Sequence, residues 1–243
     1  MSKKSRAAKR RNKLRIRQQE CSPKPKKKMY EETNKVYIVG RIESEFKYNH
    51  ECFGTKFYRT RIRVERLSKT EDLIPIIVAE QLIGRELMGK SLEGKWVEVS
   101  GKFRSYNKMG TDGRSHLNLS LFANQIDIYE DANIPEEKTN INLIVLDGYI
   151  CKTPIFRKTP LGWRITDLLV AVNRTYGKSD YIPCIAWGDE AQKSSEFKAG
   201  ERVLLCGRIQ SRKYFKRFSP DLNEGEYREV NEVSITEMRK VEE

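Results

Sequence analysis

Apolar residues recur at every second position in short runs along most of the chain, which is the spacing of half-buried strands rather than of helices. The second half is the clearer. An apolar run from Leu143 to Cys151 surrounds Gly148, and ITDLLVAVN follows within 163–173. Then come YIPCIAW over Tyr181–Trp187, a long strand opening RVLLCGRI over Arg202–Tyr214, and a fifth strand over Tyr227–Thr236. Between the third and fourth, GDEAQKSSEFKAG predicts one short helix from Glu190 to Phe197, capped by Asp189, with Gly200 ending the turn that follows. The first half runs the same course: KVYIVGRI, FYRTRIRV, LIPIIVA, a helix near Glu80–Met88, KWVEVSGKF and HLNLSLFANQIDIY.

The likeness of the halves is an internal repeat. Gly40 matches Gly148, Gly54 matches Gly162, Val64 matches Val172 and Pro75 matches Pro183, each 108 residues on. The offset then falls to 106, where Gly94 matches Gly200 and Gly101 matches Gly207. A two-residue deletion between matching frames is the mark of a duplicated domain. Strand, strand, strand, helix, strand, strand in about 100 residues, with glycines inside the first and fourth strands to permit sharp bending, is the order of an OB-fold. The expectation is an all-β chain of two tandem OB-fold barrels, each five strands plus one short helix, behind a disordered basic N-terminal arm. Its divisions are 1–33 (arm), 34–130 (first barrel, degenerate), 131–141 (polar linker), 142–236 (second barrel) and 237–243 (short tail).

Charge changes this picture at one end only. Residues 1–28 hold 13 basic side chains and one acid, Glu20, so they carry +12 of the formal +13 and the body is near neutral. Such an arm suits a polyanion held by counterion release, without sequence preference; a solubilising leader is the other reading of the same residues. Pro23 and Pro25 break any helix begun upstream. No run approaches the ~18 apolar residues of a membrane span, and the basic start lacks a signal's apolar stretch. The expected location is cytoplasmic and nucleoid-associated, with no membrane partner.

Five cysteines, at 21, 52, 151, 184 and 206, are odd in number and contain no CxxC pair, which predicts free thiols. With histidine limited to His50 and His116, no metal site, cofactor or catalytic constellation is expected. His50 and Cys52 read as loop residues.

Strand alternation sorts Tyr181, Pro183, Ile185 and Trp187 onto one face of the third strand, with Ile182, Cys184 and Ala186 behind them. On the fourth, Arg208, Gln210, Arg212 and Tyr214 share a face. Rings interleaved with cations suit single-stranded nucleic acid, because every base offers a π-face and every nucleotide a phosphate. Taken singly, each ring reads equally well as a packed strand residue.

The segments GYICKTPIFRKTPLGWRITDLLVAVNR, DYIPCIAWG and EFKAGERVLLCGRIQSRKY make residues 142–236 resemble the bacterial single-stranded DNA-binding protein family. The resemblance implies base stacking at Tyr176, Tyr181, Trp187 and Tyr214. The segment around Gly207 and Ile209 implies phosphate contacts at Arg208 and Arg212, with Lys213, Arg164 and Arg174 as further candidates. It implies sequence-independent binding of single-stranded DNA in replication, recombination or repair. It also implies a homodimer, since two barrels per chain reach the family's four OB-folds. The first copy departs from the pattern: Ser68, Leu73, Ala79 and Lys108 stand at the four ring positions. What it retains are Lys56, Tyr58, Arg61, Arg63, Arg104, Tyr106 and Lys108 as auxiliary contacts. The chain ends EMRKVEE where family members carry an acidic, Phe-terminated tip, which puts enzyme recruitment in doubt. The second reading is an RNA-binding or assembly protein docking through its arm.

Overall fold

In the computed structural model, residues 33–84, 87, 89–110, 113–129, 134, 138–217 and 224–242 are described. The arm and most of the linker expected from the sequence lie outside them. The first copy folds as β1 (Asn34–Ile42), β2 (Lys47–Cys52), β3 (Thr55–Glu65), β4 (Glu71–Ala79), the single turn α1 (Glu80–Ile83), β5 (Trp96–Met109) and β6 (Ser115–Ile128). The second repeats it as β7 (Ile141–Ile150), β8 (Ile155–Lys158), β9 (Arg164–Asn173), β10 (Ser179–Trp187), α2 (Gly188–Ser194), β11 (Arg202–Arg217) and β12 (Gly225–Lys240).

Alternation builds the barrel interiors: Ile182, Cys184 and Ala186 of β10, Ile144, Leu146 and Ile150 of β7, and Ile38, Ile62 and Phe103 of the first copy are almost fully buried. Strands lie in the order β2-β3-β4-β6-β5-β1-β7-β11-β12-β10-β9-β8, which reads the same inward from either end. Pairing of β1 with β3 and of β7 with β9 closes the two OB-fold barrels, while β1 and β7 join them antiparallel. In that join Val36 faces Ile144, flanked by Asn34 opposite Leu146 and Ile38 opposite Asn142. Because 36 and 144 are themselves 108 apart, the duplication has made a pseudo-two-fold axis through this pair, a dimer-like contact inside one chain.

Four features differ from the sequence expectation. Each barrel has six strands, not five, because β2 and β8 pair along β3 and β9; IFRK and KYNHEC are too short and polar to alternate visibly. The helix of the second copy starts at Gly188, so Asp189 lies in its first turn and makes no cap; Asp189 accepts instead from Arg164 at 2.6 Å. In the first copy the described helix is one turn. The last strand continues to Lys240, opposite Val203, so most of the segment taken as a tail is sheet.

The matched glycines mark backbone crossings. A β-carbon on Gly148 would lie 2.5 Å from the Ala171 carbonyl oxygen, and one on Gly207 2.2 Å from that of Ser234. Both oxygens are strand backbone and have no free rotation to yield. Gly207→Ala should cost about 1–3 kcal/mol of stability through overpacking. Chemical denaturation checks this, and a loss below about 0.5 kcal/mol, the ordinary surface value, would show that the crossing is slack.

Candidate nucleic-acid interface

The outward face of the second barrel is set by register. On β10, Tyr181 is 49% and Trp187 41% exposed, while Ile185 between them on the same face is buried. Opposite Trp187 lies Ile165 of β9, and opposite Ile165 lies Arg157 of β8; opposite Tyr181 lies Ala171. Aliphatic and small neighbours leave both rings open to a stacking partner. Tyr176 occupies a single 3-10 turn at Thr175–Gly177 with φ 70° and is 99% exposed. That left-handed backbone favours glycine, so a tyrosine is held there at a cost of order 1–3 kcal/mol, a pattern that clusters at working sites. Tyr214 is half-buried, with the Arg212 guanidinium 5.5 Å from its ring centroid.

The five candidate cations fall into two groups. Arg212, Lys213 and Arg164 face solvent or stand near it, Arg212 lying 3.5 Å from Glu232 and Arg164 on exposed Asp189. Arg174 and Arg208 do not stand free, because buried carboxylates hold them at the junction of the barrels. Asp180, fully buried, accepts from Arg174, from Arg104 at 2.9 Å and from the Ser105 N–H at 2.6 Å. Arg174 also donates to the Ser105 carbonyl at 2.7 Å, and the Tyr181 N–H donates to the Ser105 hydroxyl. The repeat reproduces this on the other side. Buried Asp72 accepts from Arg66, from Arg208 at 3.3 Å and from the Ser211 N–H at 2.7 Å, and the Leu73 N–H donates to the Ser211 hydroxyl. Burial pulls the Arg208 guanidinium below its ordinary pKa, with the Arg66 charge adding to that and Asp72 opposing it.

Each carboxylate therefore clamps the long β5–β6 or β11–β12 hairpin of the other barrel. The sequence carried a signal for this: Arg, five residues, then Asp at a core-facing strand position, in both copies 108 apart (Arg66 with Asp72, Arg174 with Asp180).

In the first barrel the auxiliary candidates also scatter. Arg61, Lys56 and Lys108 are exposed, and Tyr106 is partly so. Tyr58 packs against the core and meets Tyr48 edge-on at 6.2 Å. Arg63 lies 3.3 Å from Glu43 and 3.7 Å from Glu71, and Arg104 belongs to the Asp180 clamp. Sequence reading missed Arg157, because β8 was not recognised, although it stands two strands from Trp187 and pairs with Asp167 at 2.8 Å. It also missed the edge-to-face Phe215–Tyr227 pair, ring centroids 5.2 Å apart, on the hairpin that carries Tyr214. Among the described residues no group of three or more His, Cys, Asp or Glu is placed to hold a metal ion.

Two cavities border the first barrel, of about 650 and 460 Å³, sizes at which small ligands are commonly held. Matched Pro75 and Pro183 both line the larger, which places it between the barrels' outward faces.

Comparison with known proteins agrees with this fold. The wild-type single-stranded DNA binding protein from Thermus aquaticus superposes with a TM-score of 0.64 at 18% identity, over 86% of this chain and 93% of that one, and so shares the two-barrel fold. Single-stranded DNA-binding protein 2 of Listeria innocua is 36% identical over 81 residues, 30% of this chain and 51% of the relative. The single-stranded DNA-binding protein of Halalkalibacterium halodurans is 31% identical over 109 residues, 42% of this chain and 61% of the relative. The chain thus spans about half to three-fifths of the length of these relatives. The description "Single-strand binding protein family" matches residues 141–240, the whole of β7–β12. The family match is confined to this second barrel, and there the chain is similar to single-strand binding proteins.

Proposed function

We propose that the chain binds single-stranded DNA without sequence preference, serving replication, recombination or repair. The observation that carries the reading is the pair of open rings, Tyr181 and Trp187, on one strand of the barrel that matches the family. Tyr176 and Tyr214 extend the stacking surface, and Arg212, Lys213 and Arg164, joined by Arg157, neutralise phosphates. Arg174 and Arg208 act on the strand indirectly: they hold the hairpins whose position sets the groove. Stacking contributes ~1–3 kcal/mol per base and needs exposed base faces, which duplex DNA withholds.

Titrating the intrinsic tryptophan fluorescence with a dT oligonucleotide tests this, since Trp187 and Trp163 are exposed whereas Trp96 is buried. Binding should quench the emission, weaken with salt at about −0.7 in log–log slope per phosphate neutralised, and resist duplex competitor. Unquenched emission at low salt, or duplex competing equally, defeats the reading. The outward side of the β1–β7 join leaves Leu143 and Val145 exposed beside the pseudo-two-fold axis. This apolar strip supports a homodimer with four barrels, and light scattering after gel filtration should return twice the chain mass.

A further inference from the structure

We infer that the first barrel, which lacks rings at the family's stacking positions, binds the same DNA strand along a second track built from other residues. The inference rests on the single-stranded DNA reading and concerns where the strand goes after it leaves the second barrel. On the outward face of β3, Arg59 and Arg61 stand in the positions that the repeat fills with Asp167 and Leu169 in the second barrel. Lys47 of β2 lies directly opposite Arg59. None of these three makes an ion pair among the described residues, and all three are exposed. Where the second barrel has an acid and a leucine, the first has two exposed arginines.

That charge faces an open groove. Lys47, Arg59 and Arg61 line the larger cavity, of about 650 Å³, and the smaller, of about 460 Å³, adjoins it, sharing the lining residues Asn49, Ile77 and Tyr106. Tyr106 offers a ring to both. His50, stacked on Phe57 at 4.8 Å with planes 6° apart, adds a flat surface in the smaller one. Glu45, Glu229 and Glu232 also line the larger, but Glu232 is already occupied by Gln210 at 2.7 Å and by Arg212.

The occupant follows from what borders the ends. The smaller cavity reaches Tyr176 and Lys178, and the larger reaches Pro183 and Arg212, all from the second barrel. A strand stacked on the second barrel therefore meets the track without leaving the protein. Cations in file with a few flat surfaces are what a sugar-phosphate chain with loosely held bases requires. In this division of labour the second barrel supplies most of the stacking, and the first adds chiefly phosphate contacts.

Two variants of the full chain test it, Arg59→Ala with Arg61→Ala, and Tyr106→Ala, using labelled dT oligomers of about 10 and about 35 nucleotides, one OB-fold's site and several. Arg59 and Arg61 are exposed and unpaired, so the melting temperature should hold. The double variant should lower the salt slope on the long oligomer by about 1.4, two phosphates at ~0.7 each, and weaken binding roughly tenfold at low salt. Tyr106→Ala should weaken the long oligomer and spare the short. Wild-type slope and affinity in the double variant overturn the second track alone. Failure of the wild-type chain to bind either oligomer overturns the function and the track together.

Discussion

Alanine at Trp187 or at Tyr181 is expected to weaken dT binding by about 1–3 kcal/mol each, roughly 5- to 150-fold, without unfolding the barrel. Both rings stand about half in solvent on a strand whose packing is supplied by Ile182, Cys184 and Ala186 behind them. Truncation therefore removes a stacking surface and leaves the core intact. Anisotropy of a labelled oligonucleotide is the suitable readout, because Trp187→Ala removes part of the intrinsic signal. Leu73→Ala, at the first-barrel position matching Tyr181, provides the contrast and should change affinity by no more than about twofold, the scale of an ordinary surface substitution. Equal losses at Tyr181 and Leu73 would mean that the rings are not where bases lie.

Asp180→Ala carries the largest expected effect on stability. Its carboxylate is fully buried and receives two arginines and a backbone N–H. Removal leaves Arg174 and Arg104 uncompensated at the barrel junction, a loss of about 3–5 kcal/mol. At about 2–4 °C per kcal/mol for a chain of this size, calorimetry should register a fall of roughly 6–20 °C. Asp189→Ala, which breaks the exposed pair with Arg164, should cost about 0–1 kcal/mol. Comparable falls in the two variants would show that the clamp is ornamental. Binding should fall in Asp180→Ala as well, because Ser105, one of its partners, also receives the Tyr181 N–H, while Arg174 adjoins the turn that carries Tyr176. A residue remote from any base would thus act on affinity through position.

The contrast between these two sites shows how far the sequence could be followed. That Tyr181 and Trp187 share a face opposite Ile182, Cys184 and Ala186 was legible, because alternation is a rule of one strand and its two faces; their exposure, with Ile185 between them buried, came from the fold. The strand β8 was not legible, since four residues, IFRK, are too few to establish a period, and Arg157 went with it. Arg208 looked like a free cation because its partner Asp72 lies 136 residues back, and Arg174 did although Asp180 is only six residues on, because only the fold shows that Asp180 is buried and also takes Arg104 and Ser105 of the first barrel. Tyr106 and Arg61 were named as auxiliary contacts, yet nothing local joined them to Lys47 or His50, which share their cavities only after β2 folds along β3.

What the linear order determined by itself was the repeat, the strand periodicity and the matched glycines within strands, all of which depend on spacing between near neighbours or on a constant offset. Alternation settles which side chains leave a strand on which face, and matching spacing gives two barrels of the same strand order. Tertiary structure alone decided that the two copies face each other across a pseudo-two-fold axis at Val36 and Ile144, that each buried aspartate clamps the opposite hairpin, and that charge gathers in the cavities of the first barrel. These depend on distances between residues some 70 to 140 positions apart, such as Arg104 with Asp180 and Leu73 with Ser211. Electrostatics and burial act through space, and only the closed fold brings those groups within reach.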